Sequence, residues 1–127
     1  MSSSLNISES LLRLILPKEI FEYFEILSVE ERGKDIVIEL EEINNPPEEY
    51  VSDSLTSKGF YPWIEVNDFP LRNRPLVLRI KRRRWLNEST GKVVSRDWQL
   101  VSEGTRYTQG FASFLKGLIG YIPDKYV

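Results

Sequence analysis

The sequence has no cysteine and no histidine among its 127 residues. Without cysteine there can be no disulfide framework, no thiol nucleophile and no thiolate metal site. Without histidine the chain also lacks the commonest general base and the commonest nitrogen ligand for metals. These absences exclude Ser-His-Asp and Cys-His catalysis and leave carboxylates as the only candidate metal ligands. We therefore expect a protein that is not an enzyme and that uses no metal and no other cofactor.

Long apolar runs are missing as well. Runs such as Leu14 to Leu16 are far shorter than the roughly 20 residues that a membrane helix needs. The Ser-rich N-terminus lacks the charged segment followed by an apolar core that marks a signal peptide. We expect a cytoplasmic protein without a membrane partner, whose 41% hydrophobic content supports one substantial core.

Charge of both signs is present, but it is unevenly distributed. Residues 1–57 contain thirteen acidic and four basic side chains, whereas residues 58–127 contain six acidic and thirteen basic ones. The two parts carry about −9 and +7, although the whole chain carries only −2. Because a partner responds to the local field within roughly 8 Å, the basic part predicts a polyanionic partner.

Residues 1–56 are expected to form an acidic sub-region made of a helix and a hairpin. A short helix is predicted over Leu11–Leu16, after a frayed start in which Ser8 or Ser10 is the N-cap. Apolar and polar residues then alternate on both sides of Gly33, which is typical of an antiparallel hairpin. Pro46-Pro47 breaks this pattern and indicates a linker.

Residues 57–127 are expected to form a basic sub-region, with a ribbon-like antiparallel sheet and a C-terminal helix. The pattern predicts a turn at Asn67–Pro70, a hairpin tip at Thr90-Gly91 and a strand over Val93–Val101. Thr108 is a candidate cap for a helix with apolar residues at helical spacing that stops near Gly120. The predicted fold class is α+β, with both sub-regions in one compact domain.

The most informative segment is the basic run Arg79–Trp85. Alternate residues of a strand share a face, so Arg79, Lys81 and Arg83 project together with Trp85. Both faces are charged beyond Ile80, and burying unpaired guanidinium groups costs several kcal/mol, so the second half of the strand is expected to protrude into solvent. Cations on one face lie about 6.6 Å apart, a spacing that suits successive phosphates of a nucleic acid.

This run and the cations near it form the candidate DNA-binding site. Between Arg72 and Lys116 there are eleven basic and three acidic residues. Trp85 is expected either to stack on a base or to hold the twist of the hairpin, whereas Trp63, Trp98, Phe60 and Phe69 are expected in the core. The candidate site consists of Arg72, Arg74, Arg79, Lys81, Arg82, Arg83, Arg84, Trp85, Lys92, Arg96 and Arg106.

Two other interpretations of the basic run remain open. Its charges also suit a surface that improves solubility and protects a sheet edge. Alternatively, the run folds onto the acidic hairpin of residues 1–56 and is neutralised within the chain. The sequence does not separate these interpretations from nucleic-acid binding.

Several segments resemble the N-terminal region of insertion-sequence DDE transposases, in particular a Bacteroidetes-type group in which this region often occupies a separate short reading frame. The resemblance covers roughly residues 9–120 and is most specific from Asp68 to Thr108. The segments that carry it are Ser57–Pro62, Val66–Leu71, Val77–Trp85 and Thr105–Thr108.

The resemblance implies DNA-end recognition without catalysis. The family's ribbon is held by a zinc ion on four cysteines, which this chain lacks, so aromatic residues are expected to replace the metal. The family's acidic catalytic residues lie in a large ribonuclease H-like domain that 127 residues of this kind cannot include. The implied function is binding of transposon-end DNA, with base readout by the helix after Thr108 or by helices outside this chain. The alternative is a protein-interaction module that docks a separately encoded catalytic transposase subunit.

Overall fold

A computed structural model of the chain describes residues 2–104 and 106–121, with side chains from residue 9 onward. Helices and strands alternate irregularly along the chain, which confirms the α+β class. The elements are α1 (Ser2–Ile15), α2 (Ile20–Tyr23), β1 (Phe24–Arg32), β2 (Asp35–Glu42), a 3-10 helix (Glu48–Tyr50), β3 (Leu55–Phe60), β4 (Ile64–Leu71), β5 (Arg74–Lys81), β6 (Arg83–Asn87), β7 (Lys92–Val94), α3 (Trp98–Ser102) and α4 (Gln109–Tyr121).

The larger sheet has the strand order β1-β2-β5-β4. The predicted hairpin of β1 and β2 is confirmed, and Gly33 makes its turn with a φ of +60°. The turn predicted at Asn67–Pro70 is wrong, because β4 continues to Leu71. Arg72 and Asn73 make the turn instead, both with positive φ, as a tight two-residue hairpin requires.

The two predicted sub-regions share this sheet. Strand β2 pairs with β5 in parallel, with Ile36 opposite Leu76 and Glu41 opposite Lys81. The expected boundary after residue 56 lies inside β3. The acidic strand of the first sub-region therefore lies directly beside the basic strand of the second.

One face of the larger sheet carries the core. Leu40, Leu78 and Ile80 are fully buried there, together with Phe114 and Leu118 of α4. Helix α4 packs closely on β4, because a Cβ built on Gly117 would lie 2.7 Å from Cγ1 of Val66. This glycine lets the helix approach the sheet.

The smaller sheet has the order β3-β6-β7. The turn that contains Thr90 and Gly91 joins β6 to β7, as the sequence predicts. The strand expected over Val93–Val101 is wrong, because β7 ends at Val94 and α3 follows. Asp97 starts α3 by accepting a hydrogen bond from the backbone N–H of Leu100 at 3.1 Å.

The helices at the two ends differ in how well the sequence predicts them. Helix α1 begins at Ser2 and not near Leu11, so Ser8 and Ser10 lie within it and are not N-caps. Helix α4 begins after Thr108, whose hydroxyl accepts from the N–H of Phe111 at 3.3 Å, and it ends at Tyr121. The predicted cap is confirmed.

Candidate nucleic-acid interface

The basic run does not protrude from the fold as the sequence predicts. Strand β5 lies between β2 and β4, and the chain continues into β6 at the centre of the smaller sheet. Arg79 forms ion pairs with Glu39 of β2 and, at 3.6 Å, with Glu65 of β4. The prediction that the basic run protrudes is wrong, because the parallel strand β2 supplies carboxylates that pair with these cations and allow them to lie partly buried.

A second carboxylate of β2 serves the next two cations on the same face. Glu41 lies 3.2 Å from Nζ of Lys81 and 3.6 Å from Nη2 of Arg83. Nζ of Lys81 and the guanidinium carbon of Arg83 both lie over the ring of Phe60, at 4.5 Å and 4.6 Å from the ring centroid. Arg79, Lys81 and Arg83 are therefore neutralised inside the chain, as the third interpretation of the sequence anticipates.

The aromatic residues expected in the core divide into three groups. Trp98 is buried in the core as predicted. Phe60 and Trp63 are half-buried and support cations, and the guanidinium carbon of Arg79 lies 4.5 Å from the centroid of a Trp63 ring. The prediction for Phe69 is wrong, because 64% of this residue is exposed on the edge strand β4.

Arg96 and Trp85 belong to a buried polar cluster. Nε of Arg96 donates to Glu42 at 2.9 Å, and the backbone N–H of Arg83 donates to the other oxygen of Glu42. Burial raises the pKa of Glu42, while these two donors act in the opposite direction. Trp85 is fully buried and donates its indole N–H to Asn44, so its ring is not available for stacking on a base.

Arg82 and Arg84 differ from their neighbours. Neither side chain forms an ion pair or a hydrogen bond with any residue in the described part of the chain, and Nε of each is enclosed without a partner. Only 9% of Arg82 is exposed, and burial lowers its pKa. The guanidinium carbons of Arg82 and Arg84 lie 4.5 Å and 5.5 Å from the centroid of the Tyr61 ring.

The smaller sheet concentrates positive charge. Its strands carry Lys58, Arg83, Arg84 and Lys92, and none of the residues in these strands is acidic. Lys58 is exposed and lies across from Arg84, in the bulge between Ser57 and Phe60. The sequence does not mark Lys58 as a site residue, because its place opposite Arg84 follows from a strand pairing that periodicity does not reveal.

The remaining candidate residues lie elsewhere. Arg74 lies at the start of β5, roughly 23 Å along the strand from Lys81 at the end that leads to β6, and Arg72 lies in the turn before it. Arg74 is engaged there with Glu31 at 2.8 Å and with the carbonyl of Lys34. The structure therefore brings Arg82, Arg84, Lys92 and Lys58 to the smaller sheet and its entry, and it places Arg72 and Arg74 apart from them.

Arg106 lines a separate cleft of about 860 Å³ between the linker and the helices α3 and α4. Four further carboxylates line this cleft besides Glu19, whose carboxylate accepts hydrogen bonds from the backbone N–H and the hydroxyl of Thr108. They are Glu22, Glu48, Glu49 and Asp97. Arg96 also reaches the cleft, but its charge is matched by Glu42. A polyanion is repelled from this surface.

Comparison with known proteins finds no matching family model, no matching curated protein and no matching solved structure. The transposase resemblance is therefore carried by the sequence segments alone. None of the helices in residues 2–104 and 106–121 combines the length and the apolar character needed to cross a membrane.

Proposed function

We propose that this chain is the non-catalytic DNA-binding region of a transposase, which acts in the cytoplasm and holds transposon-end DNA by its backbone. The proposed binding residues form the small-sheet patch, defined as Lys58, Arg82, Arg84 and Lys92. Lys92 lies on the edge strand β7 opposite Asn87, on the other face of the sheet from Arg84, so the patch includes both faces of the small sheet. The observation that carries the proposal is that these four cations lie in or next to a sheet whose strands contain no acidic residue, and that they form no ion pair with the described residues. Unpaired cations are the ones that release counterions when they meet phosphates.

The internal ion pairs explain why the patch is smaller than the basic run. Arg79, Lys81, Arg83 and Arg96 are each held by a carboxylate of β2. A DNA phosphate has to displace that carboxylate before it gains the cation. The four unpaired cations bind without such competition, so they supply most of the affinity.

The proposed contacts are to the DNA backbone and not to bases. The helix after Thr108 was expected to read bases, but α4 buries Phe111, Phe114 and Leu118 against the sheet and carries a single cation, Lys116. Cations on strands hold phosphates, which carry no sequence information directly. We therefore infer weak sequence preference for this chain alone.

The test compares two double variants that remove equal charge. Arg82→Ala with Arg84→Ala removes half of the patch, and Lys34→Gln with Arg72→Gln removes two exposed cations at the far end of the larger sheet. Binding to a fluorescent 30-base-pair duplex is measured by anisotropy at low salt. We expect the first variant to bind about tenfold or more weakly and the second to bind within about twofold of the parent.

Equal losses in both variants would show that only the net charge matters and would remove the patch from the account. Circular dichroism and a thermal melt of each variant show whether the fold is intact. Because Arg82 is buried, Lys58→Gln with Lys92→Gln serves as a second probe of the patch on exposed side chains, and it should also weaken binding.

A second candidate function is docking of a separately encoded catalytic transposase subunit. Helix α1 favours it, because Leu11, Leu14 and Ile15 are 55%, 83% and 42% exposed on one side of the helix. An exposed apolar stripe of this kind is a candidate protein contact. Leu11→Ser with Leu14→Ser should then abolish capture of a purified catalytic chain and leave DNA binding unchanged, whereas retained capture would remove this candidate.

A further inference from the structure

The environment of Arg82 and Arg84 is unusual for arginine. An arginine that is nine-tenths buried normally satisfies its five N–H donors, since a buried donor without an acceptor loses its hydrogen bonds to water and gains none in return. Here Nε of both side chains is enclosed and has no partner among the described residues. Because Arg82 and Arg84 each hold an enclosed Nε–H without an acceptor, they point to a ligand that supplies acceptor oxygens.

Nearby carboxylates do not meet this requirement. Glu42 is the acidic group that acts on Arg82, but its two oxygens accept from the backbone of Arg83 and from Arg96. Arg82 donates to neither oxygen. The fold thus commits the carboxylate of Glu42 to other partners and leaves Arg82 and Arg84 for an external anion.

Tyr61 fixes the two guanidinium groups relative to each other. Both lie within 5.5 Å of its ring centroid, so their Cζ atoms are no more than 10 Å apart. The backbone N–H of Tyr61 donates to the carbonyl of Arg82 at 2.9 Å, which ties the ring to the strand. Rotation of both side chains off the Tyr61 ring can then bring the two groups to one tetrahedral anion.

We propose that Tyr61, Arg82 and Arg84 form an arginine clip that holds one phosphodiester group of a nucleic-acid backbone. This inference rests on the proposed function and assigns it a specific contact. A phosphodiester suits the clip better than a carboxylate does, because its two non-bridging oxygens diverge tetrahedrally and each can accept from a different guanidinium, whereas the two coplanar oxygens of a carboxylate match the fork of one arginine. One bidentate edge of a guanidinium consists of Nε and an adjacent Nη, and Nε of both residues has no hydrogen-bond partner among the described residues.

Because Nε is enclosed in the ligand-free chain, binding requires both side chains to turn outward. This rotation brings the Nε–H donors of Arg82 and Arg84 into contact with phosphate oxygens. The hydrogen bonds gained offset the loss of packing on the Tyr61 ring. Lysine in place of either arginine keeps the positive charge but lacks the planar pair of N–H donors that a guanidinium group offers. The substitution therefore distinguishes bidentate phosphate binding from nonspecific electrostatic attraction.

The clip is tested by two-dimensional NMR of the arginine Nε–Hε groups in the full chain. The probes are inorganic phosphate, a single-stranded oligodeoxynucleotide without terminal phosphates, and sodium chloride at matched ionic strength. We expect the Arg82 and Arg84 signals to shift in a saturable way with both phosphate probes and to remain unchanged with chloride. Arg83 and Arg96, whose Nε atoms already donate to Glu42, are internal references that should move less.

A variant with Arg82→Lys and Arg84→Lys provides the matched control. We expect about tenfold weaker binding of the oligodeoxynucleotide, with a salt dependence close to that of the parent chain. Unchanged affinity in this variant would overturn the clip. A thermal melt identifies any loss caused by unfolding, and the single variants Arg82→Lys and Arg84→Lys then replace the double variant.

The outcomes separate the clip from the proposed function. Duplex binding without a shift at Arg82 and Arg84 would overturn the clip and leave DNA binding by Lys58 and Lys92 intact. Shifts with inorganic phosphate but not with the oligodeoxynucleotide would mean that the clip takes free phosphate, which contradicts the diester assignment. Absence of binding to any nucleic acid would overturn both proposals.

Discussion

Glu41 and Lys81 lie directly opposite each other in the parallel pair of β2 and β5, with 3.2 Å between carboxylate oxygen and ammonium nitrogen. The same carboxyl group also lies 3.6 Å from Arg83. One acidic side chain thus pairs with two members of the basic run. The acidic strand limits which cations of this chain can reach a polyanion.

Glu41→Gln should strengthen DNA binding. Removing the carboxylate frees Lys81 and Arg83, so we expect several-fold tighter binding and a salt slope that is steeper by about 1 to 2. Glu49→Gln is the matched control, because Glu49 is exposed, forms no ion pair with the described residues and its loss changes the net charge equally. Similar gains in both variants, measured by anisotropy at several salt concentrations, would show that only the net charge matters.

Arg96→Met should strongly destabilise the fold. It leaves Glu42 fully buried without its ion-pair partner, which costs about 3–5 kcal/mol. The double variant Arg96→Met with Glu42→Gln has no unpaired buried charge, so its free energy of unfolding should fall less than that of Arg96→Met alone. Denaturation by urea measures both, and a larger loss in the double variant would contradict the role given to this ion pair.

The pH dependence of Arg96→Met follows from the pKa of Glu42. Burial raises this pKa above its ordinary value of 4.5 in the folded chain, and loss of Arg96 raises it further. A raised carboxyl pKa means that stability is greatest below 4.5 and is lost as the pH rises through the folded-state pKa. The destabilisation by Arg96→Met should therefore be larger at about pH 8 than at about pH 5.

Glu19 should have the opposite pH dependence. Burial raises its pKa, but hydrogen bonds from the N–H and hydroxyl of Thr108 outweigh burial, so the pKa is lowered overall. The contribution of Glu19 to stability is present above pH 4.5 and is lost as the pH falls through the lowered pKa. Glu19→Gln should cost about 1–2 kcal/mol at neutral pH and less in acid. The exposed neighbour variant Glu22→Gln should show neither effect in thermal melts.

Gly117→Ala should destabilise the packing of α4 on β4. The added Cβ would meet Val66 at 2.7 Å, and overpacking of a core typically costs about 1–3 kcal/mol. Val66→Ala creates room for it, so the double variant should lose less than the sum of the two single changes. If the losses of unfolding free energy in the two single variants simply add in the double variant, as measured by urea denaturation, the added Cβ does not meet Val66 and α4 lies farther from β4.

The sequence predicts those parts of the fold that depend on residues close together along the chain. The turn at Gly33 and the cap at Thr108 are local, since each depends on one residue and the periodicity beside it. Helix α3 escaped prediction because five residues are too few for a periodic signal, although Asp97 before Trp98 is a cap signal.

The candidate site is harder to predict because it depends on distant pairings. Alternation assigns Arg79 and Lys81 to one face correctly, but it does not reveal that β2, about 40 residues earlier, lies beside them. Without β2 beside it, the basic run is predicted to protrude into solvent. The same limit hid Lys58, whose position across from Arg84 depends on the pairing of β3 with β6.

The most direct measurement is the affinity of the unmodified chain for a DNA duplex as a function of salt concentration. Four unpaired cations in the small-sheet patch predict that log K falls linearly against log salt with a slope of about −3 to −4. A slope near zero, or no binding at low salt, would contradict the claim that this chain holds DNA through these cations.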